Sequence, residues 1–181
     1  TGFRVGACAC AIRCLADAVN MSLELVVKPA ELFDTGNKRR FEKLVLSGGQ
    51  VTTTGLLGRI VKAHYLAFLT IDGELIGTNA VKNNRTHRRS IEKNSGVELA
   101  DDEYLGEVGW LYVVEAHRGG RLGDLLMSAI LAVAGSGGLF ATIQSKNVGA
   151  RLLHERHGFY HVGKSWSSSE RKDMVNLFIR E

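Results

Sequence analysis

Seven short stretches of the chain are rich in β-branched and aromatic residues or alternate apolar with polar positions, and they predict strands. They cover residues 21–28, 65–71, 74–81, 104–114, 139–144, 159–163 and 174–179. Other stretches carry apolar residues at the spacing of a helix that packs on a core. These cover residues 54–64, 122–133 and 146–157. Strands and helices follow one another without a repeat or a low-complexity linker.

Two segments are less regular. Residues 30–46 predict a helix that is broken at the turn signal Thr35-Gly36-Asn37. Residues 83–102 are polar, so we expect a mobile loop with a short helical turn. Asp72-Gly73 favours a two-residue hairpin turn between neighbouring strands. The order β-α-α-β-β-β-α-β-α-β-β predicts one α/β domain with a mixed sheet over residues 21–181. We assign no function to the extension at residues 1–20.

Composition and charge restrict the function classes. The chain has 181 residues, 45% of them hydrophobic, and no apolar run reaches the ~20 residues of a membrane span, so we expect no membrane partner. A net charge of +4 suits an anionic ligand such as a phosphorylated cofactor or nucleic acid. Cys8, Cys10 and Cys14 are an odd number of cysteines in one segment, which favours a reducing cytoplasm. Structural zinc needs a fourth ligand that is not nearby, so we expect no metal site.

A glycine-rich turn separates the strand at 104–114 from the helix at 122–133. It reads Arg118-Gly119-Gly120-Arg121-Leu122-Gly123. The first N–H groups of a helix are unpaired and lie at the positive end of its dipole, so such a turn can bind a phosphate. A tight connection with solvated arginines explains the same residues, and the turn alone leaves both interpretations open.

Two motifs at the right separation resemble the GNAT superfamily of N-acetyltransferases. The turn resembles the family's cofactor loop, Q/R-x-x-G-x-G/A, with Arg118 at the first position, Gly123 at the last, and Arg121 in place of the usual middle glycine. Asn147 and Gly158-Phe159 follow the second motif, N-x-x-A with a later G-F. The resemblance covers most of the chain. It implies a single-domain α/β GNAT-like fold, with a mixed, mostly antiparallel central sheet that is splayed at the cofactor site and flanked by helices.

The resemblance also implies that the chain binds acetyl-CoA in a V-shaped opening between two parallel strands. The strand before the loop would contact the pantetheine near Leu111, Tyr112 and Val113, and Asn147 would contact the cofactor from the other side. Backbone N–H groups of the loop and helix start would hold the pyrophosphate. The residues concerned are Arg118, Gly119, Gly120, Arg121, Leu122, Gly123 and Asp124. Arg121 could aim its N–H at the pyrophosphate only with a helical backbone and a side chain that leans away.

The implied chemistry is direct attack of a primary amine on the thioester, for which the amine must lose a proton to a general base. Glu107 stands eleven residues before Arg118, where several family members carry a catalytic Glu. Apolar neighbours are expected to desolvate Glu107 and raise its pKa. A strand-edge Glu in a salt bridge is the alternative, and Glu103 and Tyr112 are weaker candidates for the base.

Seven residues after the Asn of the second motif, the family usually supplies a Tyr that assists the departing thiolate. His154 occupies this position here. Positions seven apart share one helix face, so Asn147 and His154 can both point at the cofactor. Because a His can donate in either protonation state, His154 is a candidate catalytic acid. Packing without a chemical role is the alternative.

The acceptor stays open between a small-molecule amine and a protein amine. By the same resemblance, Trp166 and the run Ser167-Ser168-Ser169 are expected near the acceptor. The cationic cluster at 85–89 is expected near the acceptor or the 3′-phosphate, unless it is a solvated loop. A non-catalytic acyl-CoA-binding or sensing domain is the second hypothesis, favoured by Arg121 and His154. A nucleic-acid-binding domain is the third hypothesis, suggested by the basic charge. We do not favour it, because the sequence shows no recognised reading helix and no aromatic stacking motif. A homodimer is compatible with the family.

Overall fold

The computed structural model describes residues 21–167 and 173–181. Their strands are β1 (Leu23–Pro29), β2 (Tyr65–Ile71), β3 (Glu74–Lys82), β4 (Tyr104–Val113), β5 (Gly138–Gln144), β6 (Tyr160–Ser167) and β7 (Met174–Arg180). They form one sheet in the order β1-β2-β3-β4-β5-β7-β6, in which β4 and β5 are parallel and the other neighbours antiparallel. The expected mixed, mostly antiparallel α/β sheet is confirmed. The extension at 1–20 and the pair Ser168-Ser169 lie outside the described residues.

The helices of the described residues are α1 (Thr35–Ser47), α2 (Leu56–Val61), α3 (Arg85–Ser95), α4 (Leu122–Ala134) and α5 (Val148–Arg156). The apolar pattern locates α2, α4, α5 and all the strands to within a few residues at each end. Asp72 and Gly73 both have positive φ, 50° and 80°, as the predicted hairpin turn requires. None of the helices described has the length and apolar character needed to cross a membrane.

The structure corrects the expectation of a mobile loop at residues 83–102, because much of that segment is helix α3. Only Ile91 and Ser95 of this helix are buried, so the segment has no apolar stripe that would reveal a helix. Polar and backbone contacts define the two ends of helix α3 instead. The Asn84 side chain accepts a hydrogen bond from the His87 N–H and caps the start. Gly96 ends the helix with a left-handed φ of 74°.

Thr35-Gly36-Asn37 also differs from the prediction, since these residues begin helix α1 instead of breaking a helix. Asp34 accepts hydrogen bonds from the Asn37 N–H at 2.7 Å and from Asn37 Nδ2 at 2.6 Å. These bonds satisfy groups that the first helical turn would leave unpaired. The turn-forming residues therefore mark a helix start.

Helices cover both faces of the sheet and divide its core. On one face, Leu126 and Ile130 of α4 pack with Leu69 of β2 in what we call the α4 layer. On the other face, Phe41 of α1 packs with Phe68 of β2 in the α1 layer, with ring centroids 5.3 Å apart. Side chains alternate between the faces along a strand, so neighbouring residues of each strand serve the two layers in turn.

Arg121 is the N-cap residue of helix α4, and its backbone has a left-handed φ of 57°. The right-handed helical backbone that would let Arg121 aim its N–H at a pyrophosphate is therefore not present. A residue with a Cβ adopts the left-handed conformation at a cost of roughly 1–2 kcal/mol, whereas glycine adopts it freely. The Arg121 side chain is 79% exposed and its Nε lies 3.6 Å from Asp124 Oδ2, an ion pair that contributes little in water. Arg121 is therefore strained without a compensating contact among the described residues.

We predict that Arg121→Gly stabilises the protein by about 0.5–1 kcal/mol, because relief of the strain exceeds the added backbone entropy of glycine in the unfolded chain. Urea unfolding followed by circular dichroism measures the change. Arg121→Ala is the matched control, since it removes the same side chain but keeps a Cβ, and its free energy of unfolding should stay near that of wild type. Equal stabilisation by both substitutions would attribute the gain to lost charge instead of relieved strain.

Candidate active site

A β-bulge in β4 redirects this strand. Asn79 of β3 alone lies opposite both Trp110 and Leu111 of β4. Trp110 takes a left-handed φ of 57°, and its carbonyl accepts a hydrogen bond of 2.9 Å from the Thr78 hydroxyl. Asn79 is fully buried, and its Nδ2 donates to the Leu126 carbonyl of α4 at 3.4 Å. An extra residue of this kind bends the strand that carries it.

The bend separates β4 from β5. The two parallel strands pair only near their starts, and Glu107 is the last residue of β4 in the ladder, opposite Phe140. Beyond this pair, β4 continues to Val113 and β5 to Gln144 with no ladder between them. The sheet is therefore splayed at the place expected for the cofactor.

A cavity of about 760 Å³ occupies the gap. Its lining includes five of the predicted site residues, namely Glu107, Leu111, Tyr112, Asn147 and His154. Val113 and the loop residues 118–124 are outside the lining. A separate hollow of about 800 Å³ is lined by His64 and by Arg85 of the cationic cluster, but by none of the predicted catalytic or cofactor-binding residues, so we place the candidate site in the gap.

The cavity is reached from both faces of the sheet. Val108 and Ile143 belong to the α4 layer, so their neighbours Glu107 and Thr142 point to the opposite face. Leu153 of α5 packs in the α4 layer. The helix starts of α4 and α5 therefore serve one face of the opening, and the Glu107 carboxylate serves the other.

Glu107 lies where the gap begins, and its side chain is 5% exposed. Its Oε2 is 2.8 Å from Lys82 Nζ and 3.7 Å from His87 Nε2, and its Oε1 accepts a hydrogen bond of 2.7 Å from the Thr142 hydroxyl. Burial alone would raise the pKa of this carboxyl, but the charges of Lys82 and His87 and the hydrogen bonds from Lys82 and Thr142 outweigh it and lower the pKa. The expected raised pKa is wrong. The role of Glu107 as base stays a prediction.

His154 is 6% exposed, and its ring meets that of Phe159 edge-on with centroids 5.1 Å apart. Its Nδ1 lies 2.8 Å from the Ala150 carbonyl oxygen, and because a carbonyl only accepts, Nδ1 carries the hydrogen. Burial lowers the pKa of His154; the bond to Ala150 opposes this, and the neighbouring His157 adds to it. The neutral ring therefore has an unprotonated Nε2. In this tautomer only the imidazolium form could donate to a thiolate, contrary to the expectation that either form can.

The start of helix α4 lies behind the wall of the cavity. None of the described side chains caps it, so the N–H groups of its first turn are available to an anion. A Cβ at Gly123 would lie 3.6 Å from Leu153 Cδ2 and 3.9 Å from Leu111 Cδ2. Leu153 and Leu111 both line the cavity, so one layer of side chains separates the helix start from it.

Two charged residues of the loop are engaged within the protein. Arg118 Nε donates to the Val113 carbonyl at 3.0 Å. Asp124 accepts hydrogen bonds from the Arg156 guanidinium at 3.1 Å and faces His157 Nε2 at 3.2 Å. Burial would raise the pKa of Asp124, but these contacts lower it. Asp124 therefore links α4 to α5 as a carboxylate, and Arg156 offsets its charge beside the helix start.

Asn147 and Tyr112 line the cavity from opposite sides of the gap. The Asn147 Oδ1 accepts a hydrogen bond of 3.0 Å from the Ala150 N–H and caps α5. Its Nδ2 has no partner among the described residues and can donate into the cavity. The Tyr112 ring packs so closely on the end of α1 that a Cβ at Gly48 would lie 2.7 Å from its Cδ2.

The residues expected near the acceptor are separated in the structure. His87, Trp166 and Ser167 line the cavity, whereas Arg85 lines the separate hollow. Arg88 turns into the protein, where its guanidinium donates to the Tyr104 carbonyl at 2.9 Å and is only 11% exposed. Glu103 precedes β4 and is exposed outside the lining, away from the cavity in which Glu107 lies.

Lys82, Thr142 and Arg59 are among the polar residues of the cavity that sequence reasoning missed. Lys82 pairs directly across from Glu107 in the β3–β4 ladder. Opposite charges at such positions stabilise a sheet, so this signal was present in the sequence. It becomes visible only once the register of the two strands is known.

Comparisons with known proteins agree with this geometry. The sequence profile of the Acetyltransferase (GNAT) family matches residues 49–159, and a search of curated protein sequences gave no match. Escherichia coli ElaA and an acyl-CoA N-acyltransferase from Pseudomonas aeruginosa each superpose with a TM-score of 0.67 at 15% identity, covering 88% of this chain and 100% of theirs. Arabidopsis thaliana NAA60 in complex with a bisubstrate analogue gives 0.60 at 16% identity, covering 86% and 97%.

At such identities the structural likeness concerns the fold, whereas the profile match extends over more than half of the sequence. The splayed β4–β5 pair and the uncapped start of α4 are the features that the sequence motifs implied. The chain belongs to the GNAT acetyltransferase family.

Proposed function

We propose that the chain is an acetyl-CoA-dependent N-acetyltransferase that transfers the acetyl group to a primary amine by direct attack. The position of Glu107 carries the proposal: a carboxylate stands on one face where the sheet opens, and an uncapped helix start stands on the other. An anionic cofactor suits the helix start, and an amine that must lose a proton suits the carboxylate. The neighbours described above add support, since one is an acyl-CoA N-acyltransferase and another binds a bisubstrate analogue.

The residues of the opening fit acetyl-CoA in three places. First-turn N–H groups of α4, at Leu122, Gly123 and Asp124, suit the pyrophosphate. The backbone of β4 beyond the last ladder pair, near Leu111, suits the pantetheine amides. The Nδ2 of Asn147 can donate from the other side of the gap. The Val113 carbonyl is occupied by Arg118, so we assign the pantetheine contact to the strand before it.

In the proposed reaction, the lone pair of the amine nitrogen forms a bond to the thioester carbonyl carbon, and the carbon–sulfur bond breaks. The nitrogen gives one proton to the Glu107 carboxylate, directly or through water, and sulfur leaves with the bonding electrons as a thiolate. Each carboxylate oxygen has two lone pairs. Glu107 can therefore accept this proton while Lys82 and Thr142 remain bound to its carboxylate oxygens. The low pKa keeps Glu107 ionised and ready to accept, at the expense of basicity.

We predict that Glu107→Gln lowers kcat by ~10²-fold, because the amide keeps the shape of the side chain but cannot take a proton. Thiol release from acetyl-CoA over a panel of primary amines measures the rate. Acetyl-CoA affinity, measured by calorimetry, should hardly change, since Glu107 lies on the face opposite the helix start. Near-normal turnover of Glu107→Gln across pH would transfer the role to water or to another residue.

Lys82 determines the ionisation of Glu107, and this gives a prediction for stability against pH. In wild type the lowered pKa of Glu107 contributes stability that is present above its ordinary value of 4.5 and is lost as pH falls through the folded pKa. Lys82→Met leaves burial as the main effect and raises that pKa. In this variant, the stability that Glu107 contributes is present below its ordinary pKa of 4.5 and is lost as pH rises through the raised pKa.

The Lys82→Met variant should therefore lose stability relative to wild type as pH rises from about 4 to about 8, by roughly 2–4 kcal/mol, because it leaves a buried carboxylate without its partner. Urea unfolding at several pH values measures the difference. Lys62→Met, which changes an exposed lysine outside the cavity lining, is the control and should show no such trend. A pH-independent difference for Lys82→Met would mean that Lys82 does not govern the charge on Glu107.

His154 gives a third test, because its N–H is bound to Ala150 and its neutral form offers only an acceptor. We predict that His154→Tyr raises kcat at about pH 8, since a phenol hydroxyl can donate to the departing thiolate. His154→Phe should stay within about threefold of wild type at that pH if the imidazole only packs. A Phe variant slowed more than about tenfold, with normal acetyl-CoA affinity, would assign the donor role to His154 itself.

A non-catalytic acyl-CoA-binding or sensing domain is the second candidate. The occupied N–H of His154 and the strained backbone of Arg121 favour it, because both depart from the family pattern. The same measurements separate the candidates: acetyl-CoA binding without thiol release, for any amine in the panel, would support the sensing domain.

A further inference from the structure

The charges around the cavity are unevenly distributed. Among the described residues that line it, Glu107 is the only acidic one, and Lys82 Nζ neutralises it at 2.8 Å. Arg59 and His87 also line the cavity, so the described wall carries one positive charge in excess when His87 is neutral. The first turn of helix α3 contributes Asn84 and His87 to the same wall, and the positive end of the helix dipole adds to the potential.

Arg59 supplies the excess charge. It lies in the last turn of α2, between buried Leu56 and Ile60, and is itself half-buried. Its guanidinium donates to the Thr54 carbonyl at 2.7 Å and to the Thr52 carbonyl at 2.5 Å. No carboxylate of the described residues pairs with it.

The two carbonyls hold Arg59 in one orientation and leave donors unused. A guanidinium has five N–H donors, and the bonds to Thr54 and Thr52 use two. The remaining N–H groups form a planar fork of the kind that binds carboxylates. Because the fork is already fixed by the backbone, little side-chain entropy is lost when an anion binds.

From this arrangement we infer that the acceptor is an amino-carboxylate, whose carboxylate is bound by Arg59 while its amine is directed to Glu107. The inference rests on the proposed N-acetyltransferase function and names its substrate class. Arg59 is on α2 and Glu107 is on β4, and both belong to the wall on the α1 face of the sheet. The acceptor would thus approach from the face opposite the helix start of α4, where the cofactor is assigned.

Polycationic acceptors fit this wall poorly. A polyamine or an antibiotic with several amines needs carboxylates for the amines that do not react. The described wall offers Glu107 alone, and Lys82 already occupies it. A second cationic group would also lie near Arg59, and like charges in a cleft oppose binding.

The test uses pairs of acceptors that differ only in the anion: ω-amino carboxylates of two to six carbons and the matching ω-amino carboxamides. For each pair, thiol release gives kcat/KM for wild type and Arg59→Gln. In wild type we expect the carboxylate of at least one pair to be preferred at least about tenfold. This preference should fall to near unity in Arg59→Gln. Wild type and Arg59→Gln are compared on the same carboxylate–carboxamide pair, so any difference in the intrinsic reactivity of the two amines cancels.

Matched variants separate recognition from folding. Lys62→Gln removes the same charge close by in the chain, outside the cavity lining, and should keep the full preference. Arg59→Lys keeps the charge without the fork and should retain only part of it. If Arg59 merely fastened the segment at 52–54, Arg59→Gln would lower kcat/KM for carboxylate and carboxamide equally, and this result would overturn the inference.

A binding measurement tests the inference independently of turnover. The same carboxylates and carboxamides are titrated into the CoA-bound protein by calorimetry. Carboxylate binding that Arg59→Gln weakens at least about tenfold would support the inference even if no acetyl group moved, and the failure would then belong to the proposed transferase function. Turnover of carboxamides or diamines in preference to carboxylates would leave that function standing and overturn the amino-carboxylate acceptor. Binding of neither probe would also overturn it.

Discussion

The β-bulge opposite Asn79 is the constraint on which the rest of the site depends. Without the extra residue, β4 would continue alongside β5, and the parallel ladder would close the gap that holds the cavity. The bulge forces Trp110 into a left-handed conformation, which is costly for a bulky residue. The hydrogen bonds from Thr78 to the bulge and from Asn79 to α4 offset part of that cost. The opening is thus built into the sheet by the backbone of β4 itself.

Hydrophobic periodicity was sufficient to predict the strands and helices that pack through apolar side chains. The strands, the Asp72-Gly73 turn and helix α4 all have their signal within a few consecutive residues. Helix α3 has no such local signal, because Arg88 attaches it to carbonyls that are distant in the sequence, such as that of Tyr104. The backbone of Arg121 could not be predicted from local sequence either. The motif located the loop, but the left-handed φ of Arg121 follows from how the loop enters α4.

The candidate site was predictable in position and less so in chemistry. Motif spacing identified Glu107 and His154, and both line the cavity. Their protonation depends on partners that the motifs do not contain. Lys82 reaches Glu107 through the ladder between β3 and β4, and the bulge alters the register of that ladder. Burial raises the pKa of an isolated carboxyl, so an expectation made without Lys82 had the wrong sign.

The two faces of the sheet divide the demands of the reaction. The α4 face supplies unpaired N–H groups for an anion, and Arg156 neutralises Asp124, the one acidic side chain in the first turn of that helix. The opposite face holds the charged groups, and its wall is completed by segments outside the sheet: the α1–α2 connection, helix α2 and helix α3. A substitution at Arg59 or His87 changes what the wall attracts without altering the bulge or the opening. In the proposed reaction, the fold would keep one cofactor geometry while the charge of this wall selects the acceptor, so we infer the acceptor from these side chains and not from the family.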